Sequence, residues 1–151
     1  MAEYYPPVGF HFKVEVNLPD IAQEDREVRF QEVGGLNKTL EIEEFKEGGE
    51  NRFAHRLPNP AKYANLVLKR GMLTKSKLIN WCFDAIDNFD FKPADITITL
   101  LDEKHNPLSV WNISKAYPVK WLTTDLKAQE NAIVIETLEL AYQYFTKSDQ
   151  K

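Results

Sequence analysis

Asn131–Phe145 reads NAIVIETLELAYQYF, and whether this run is helix or strand decides the fold. Glu136, Leu138, Glu139, Leu140 and Ala141 are good helix formers, but Ile133, Val134, Ile135 and Thr137 are β-branched. Their stiff χ1 disfavours a helix and suits a pleated surface, so the run is a strand. One face then carries Val134, Glu136, Leu138, Leu140, Tyr142 and Tyr144, and the other Ile133, Ile135, Thr137, Glu139, Ala141 and Gln143. Side chains of a strand alternate between faces in this way. Fully extended, the run would span roughly 45 Å, far beyond the usual strand of about 5–6 residues. A compact domain has use for such a strand only if it bends or crosses into a neighbour, which is a first sign of assembly.

Working backwards, Asp125–Glu130 is a polar loop and Ala116–Trp121 is extended, with Pro118 suiting an edge or a bulge. Asp95–Leu101 and Leu108–Ile113 form a hairpin across the turn Asp102–Pro107. Lys75–Phe89 is a helix with Thr74 or Ser76 as N-cap; Leu78, Cys82, Ala85, Ile86 and Phe89 share its apolar face, and Pro93 ends it. Asn65–Arg70 is a short strand closed by Gly71. Glu47–Asn59 has neither period and reads as the longest irregular segment, of the kind usually functional or mobile. Lys38–Phe45 alternates, with Leu40 and Ile42 opposite Thr39, Glu41 and Glu43; Val28–Val33 pairs as a hairpin with the strand Gly9–Asn17. Tyr4–Pro7 is extended. The expected fold is mainly β (α+β): an antiparallel β-sandwich or open barrel of seven to eight strands with one flanking α-helix, in a single domain over residues 1–151.

Composition narrows the function. The 151 residues are 43% hydrophobic and 12% aromatic, enough for one core. The net charge of −4 supplies no basic field for nucleic acid or an anionic membrane. One cysteine, Cys82, excludes an intrachain disulfide and a Cys-rich zinc site and fits a reducing compartment. No apolar run approaches a membrane span, and the N-terminus lacks a signal peptide's basic and apolar regions, so the reading is a soluble protein made in the cytoplasm, with no membrane insertion.

No motif argues for an enzyme. His11, His55 and His105 lie in a strand, a loop and a turn without metal-ligand spacing. Cys82, on the helix's apolar face, reads as a small hydrophobe rather than a nucleophile. Glu41, Glu43, Glu44, Glu47 and Glu50 could do acid–base work or hold a hard cation, but a solvated strand face, or a negative face towards a channel or partner, is the better reading. Gly34–Gly35 and Gly48–Gly49 lack the spacing and lysine of a phosphate loop and read as turns. Neither a cofactor nor a metal is expected.

In collinear order, FHFKVEV, RFQEVGGL, LEIEEFKEGGENRFAHRLP, YANLVLKRGML, LINWCFDAI, ITITLLDE, VWNISKAYPVKW and IVIETLELAY cover almost the whole chain. Together they resemble the tail-tube protein family of contractile phage tails and phage-tail-like injection systems. The resemblance implies a structural subunit that forms hexameric rings, its strands joining those of its neighbours into one continuous barrel around a channel. Rings stack into a tube within a sheath, and DNA or protein cargo passes through without specific binding. It implies partners among copies of itself, other tube-type subunits, sheath, and baseplate or spike proteins. The loop corresponding to Glu47–Pro58 then makes contacts between subunits and rings, with Gly48, Gly49, Asn51, Arg52, Phe53 and Arg56 as assembly residues. Thr39, Glu41, Glu43 and Thr137 are the expected channel-face residues. The start YYPPVGFHFKVEV and the loop FKEGGENRF resemble the divergent, baseplate-proximal type that makes the first ring. The competing reading is a small monomeric ligand- or oligonucleotide-binding β-barrel, which requires a basic or apolar pocket.

Overall fold

The alternation of β1 (His11–Asn17) buries Val14 and Val16 and half-buries Phe12 on one face. β1 and the strands below come from a computed structural model, which describes residues 11–18, 27–46, 48–49, 52–72, 76–129 and 133–149. Among these lie ten strands and one helix. β1 pairs antiparallel with β7 (Ala94–Leu101), Val14 opposite Ile98 and Val16 opposite Ile96; on its other side it meets the short β2 (Glu27–Val28). The expected strand Val28–Val33 is therefore split. After β2 the chain leaves β1, the Gln31 N–H donates to the Lys69 carbonyl, and β3 (Glu32–Gly34) pairs with β6 (Leu66–Gly71) instead.

The expected hairpin after β7 forms, with Asp102 organising its turn. The Asp102 carboxylate accepts 2.8 Å hydrogen bonds from the backbone N–H groups of Lys104 and Asn106, the first of these causes holding its pKa below the usual range being the bond from Asn106. The returning strand does not stop at Ile113: β8 (Pro107–Thr123) runs for 17 residues. Lys115, at φ 56°, and an extra residue near Val119 bend it. Its first half lies between β7 and β10 (Tyr144–Asp149), and its second half beside β9 (Ile135–Ala141). The stretch 135–145 bends with it. The Gln143 N–H donates to the Ser114 carbonyl at the break, and the facing pattern slips by one, so that Leu138, Leu140 and Phe145 are buried while Tyr144 is exposed.

The eight-stranded sheet thus folds over at β8 into two half-sheets, β2–β1–β7–β8–β10 and β8–β9–β6–β3. Val14, Ile96, Ile98 and Ile113 of one half share a core with Leu66, Leu68, Leu138 and Leu140 of the other, giving the expected antiparallel sandwich. The flanking helix α1 (Lys77–Asn88) packs on β8, but its buried face is Leu78, Trp81, Cys82 and Ala85. Trp81, whose Nε1–H donates to the Lys92 carbonyl at 2.7 Å, turns that face, leaving Ile86 and Phe89 exposed. Ser76 holds the N-cap position without capping. Its Oγ instead accepts a 3.0 Å bond from Arg70 Nη2. Arg70 also reaches Glu136 within the core, Nε to Oε2 at 2.8 Å, and Trp121 Nε1–H donates to Glu136 Oε1 at 3.3 Å.

Candidate functional site

Two surfaces of this body stand open among the described residues. The first is a two-stranded hairpin of β4 (Lys38–Phe45) and β5 (His55–Tyr63). β5 takes up the last five residues, 55–59, of the expected irregular segment Glu47–Asn59. Pro58 and Pro60 gave the sequence a loop-like reading, yet both are tolerated because the strand has a free edge and carries an extra residue opposite Glu41. β4 and β5 pack almost entirely on each other, and Leu40, Ile42, Phe45 and Leu57 are each about half exposed. A lone hairpin is marginal in water without a packed face. Its root is anchored where Lys38 Nζ sits 4.8 Å from the Phe145 ring centroid and Tyr63 packs edge-on to Phe145 and Tyr142. At the elbow Gly35 has φ +84°, and a Cβ there would run into the Asn65 carbonyl, so only glycine fits.

The expected assembly residues gather at this hairpin. Gly48 and Gly49 (φ +95°) make its tip turn, and Arg52 is in the bend that follows. Phe53 is 56% exposed with its ring 5.3 Å from that of His55, and Arg56 lies opposite Glu44. Asn51 falls outside the described residues. Of the expected channel-face residues, Thr39, Glu41 and Glu43 are also here, and Glu41 pairs with Lys62 at 2.7 Å. Thr137 is not; it belongs to β9.

The second surface is the half-sheet containing Thr137. Its core face holds Leu66, Leu68, Leu138 and Leu140, while the opposite face carries Lys69, Thr137 and Glu139 in close to balanced charge. Lys69 pairs with Glu32 at 3.4 Å, and Asn65 Nδ2–H donates to Glu139 Oε1 at 3.1 Å. Sequence periodicity alone already placed Thr137 and Glu139 on one face; Lys69 and Glu32 needed the pairing of β3 with β6. Among the described residues both ends of this half-sheet are open. β3 has only β6 beside it, and β8 beyond Ala116, where β7 begins at Ala94, has only β9.

Little here can do chemistry. Burial pushes the Cys82 thiol up to about 12, so it stays protonated at neutral pH. His11 and His105, distant in sequence, stack with centroids 5.1 Å apart, but among the described residues no three His, Cys, Asp or Glu side chains cluster as a metal site. Among the described residues, one groove of about 760 Å³ runs along the β8–β9 loop and another of about 480 Å³ lies over Lys69 and Thr137.

The family model described as T4-like virus tail tube protein gp19 matches residues 8–146, and the chain belongs to that family. A chain in the structure of the anti-feeding prophage baseplate, 6-fold symmetrised, is 33% identical, with 97% of this chain and 98% of that one covered and a TM-score of 0.88. A chain of the sheath–tube complex of the PVC extracellular contractile injection system shares the fold at 24% identity, covering 97% and 94%, with a TM-score of 0.79. So does a chain of the anti-feeding prophage tube-terminating cap, at 24% identity, covering 99% and 95%, with a TM-score of 0.82. No curated protein matches the chain.

Proposed function

We propose that the chain is a structural inner-tube subunit of a contractile phage tail or phage-tail-like injection system, without catalytic activity, whose hexameric rings stack to line a channel for DNA or effector proteins. The observation that carries this reading is the half-sheet with two open ends. Along the order β8–β9–β6–β3 every pair is antiparallel, so β3 runs opposite to β8. Adding the β3 end of one copy to the β8 end of the next continues the alternation. Closing the circle yields a barrel and removes every such edge. A head-to-tail contact that closes makes a ring, and the ring's two unlike faces stack into a filament.

In that barrel the face bearing Lys69, Thr137 and Glu139 lines the channel, and Thr39, Glu41 and Glu43 extend the polar lining along the hairpin. Mixed, near-neutral charge gives neither DNA nor protein a place to bind. Gly48, Gly49, Asn51, Arg52, Phe53 and Arg56 form the contact between copies. The higher identity to a baseplate chain than to sheath–tube and cap chains, 33% against 24%, favours the first ring on the baseplate, with a tube-type subunit above and spike or baseplate proteins below. The protein is then made in the bacterial cytoplasm and carried in the particle. Arg52→Glu should impair rings and tubes, scored by sedimentation and negative stain, without unfolding the subunit. Undiminished assembly would remove Arg52 from the contact. A wild-type chain that stays monomeric at all concentrations and in the presence of its particle's other proteins would reject the tube reading and favour a small binding barrel.

A further inference from the structure

Helix α1 ends on a phenylalanine that is both strained and exposed. Phe89 has φ 54° and ψ 33°, the left-handed conformation in which glycine is the usual residue at a helix C-terminus, and the Asp90 N–H closes the cap on the Asp84 carbonyl. A bulky side chain there is an outlier. Its ring is 82% exposed, so the body of the subunit gives it almost no burial in return. It stacks edge-on to Phe91 at 4.8 Å, and Phe91 in turn meets Tyr117 at 5.6 Å. With Ile86 and Val119 these rings make an exposed apolar ledge. A row of large apolar side chains of this kind marks an interaction site.

The ledge stands at a defined place. β7 begins at Ala94 opposite Ala116, so Phe89 and Phe91, just before β7, occupy the start of the side of β8 that lacks a strand. This is the edge to which the ring reading brings β3 of the next copy. Because β3 runs opposite to β8, its C-terminal end is directed towards the start of the second half of β8, the side of Tyr117. Only residues 35–37 separate β3 from the hairpin, and the Asn37 N–H folds back to the Gly35 carbonyl. The neighbour's hairpin must therefore emerge at the ledge and not at the Thr123 end. On one face of its first strand it carries Leu40 and Ile42, each about half exposed in its own subunit.

We infer that the aromatic ledge of Phe89, Phe91 and Tyr117 is the seat of the β4–β5 hairpin of a second copy of this chain, the adjacent one in the same ring. This rests on the ring reading and adds to it the surface that receives the hairpin. The strain at Phe89 is retained for that contact.

The test places a photo-crosslinking benzoyl-phenylalanine at position 89, isolates single rings by sedimentation, and maps the crosslinked peptides. Crosslinks between chains, within residues 38–63, support the inference. Rings that form but crosslink elsewhere, or only within their own chain, overturn the ledge as the seat while leaving the ring intact. Failure of the wild-type protein to form rings under the same conditions rejects the ring reading itself. A second variant, Phe89→Gly, relieves the backbone strain. It should raise the melting temperature of the isolated subunit yet raise the concentration for half-assembly about tenfold, as loss of a buried aromatic anchor would. A stabilised subunit with unchanged assembly would mean that Phe89 serves only its own chain.

Discussion

Arg70 and Glu136 are the two charged side chains of the described core, and each satisfies the other. Their hydrogen bonds to Ser76 and Trp121 tie the start of α1, β8, β6 and β9 to one point. Removing one partner strands a buried charge, so Glu136→Gln should lose about 3–5 kcal/mol of stability in urea unfolding. The double variant Arg70→Met, Glu136→Leu should recover most of that loss, which a double-mutant cycle would read directly. Cys82 sets a second expectation. Burial raises its thiol from an ordinary value near 9.0 to about 12 in the folded chain. Between these values the unfolded thiol releases its proton and the folded one keeps it, so the folded state binds more protons and stability falls as pH rises. The slope is about 1.4 kcal/mol per pH unit above pH 9, and a Cys82→Ala variant should lack it.

At the scale of elements, the hairpin is the least self-sufficient part of the body. Its amides should exchange with solvent rapidly in the isolated subunit and slow by roughly 10–100-fold on assembly, while those of β7 and β9 stay protected in both, as hydrogen-exchange mass spectrometry would show. Its first strand was legible in the sequence because Lys38–Phe45 alternates cleanly. β5 was not, since Pro58 and Pro60 remove donors that only a free-edged strand can do without. From Ile135 the run is strand as read, but its break at Gln143 is dictated by the bend of β8, a partner no local pattern reveals. The helix was placed well and its buried face less so, because Trp81 took the position that spacing alone gave to Ile86 and Phe89. Of the functional candidates, those at the hairpin tip were legible in local composition, whereas the Phe89–Tyr117 ledge and the placing of Lys69 and Glu32 beside Thr137 depend on pairings between distant strands.

For the whole molecule, family membership and the open-ended half-sheet point to a conduit, and a conduit must not hold what it carries. Thr137→Lys combined with Glu139→Lys should leave rings intact but make tubes retain short single-stranded DNA at low salt, with retention lost as salt is raised. Wild-type tubes should retain none. Retention measured by co-sedimentation of a fluorescent oligonucleotide would separate this face from the outside of the tube, since DNA held only outside remains open to nuclease.

The seventeen residues of β8 also have a mechanical meaning. A push or pull on one half-sheet passes to the other along a single run of peptide bonds, without crossing the soft contacts of the core. The ladders to β7, β9 and β10 lie along that run, so axial load shears many hydrogen bonds together instead of peeling them one at a time. Lys115 and the extra residue near Val119, where the strand turns, are the joints in this load path, and compliance under thrust should concentrate there.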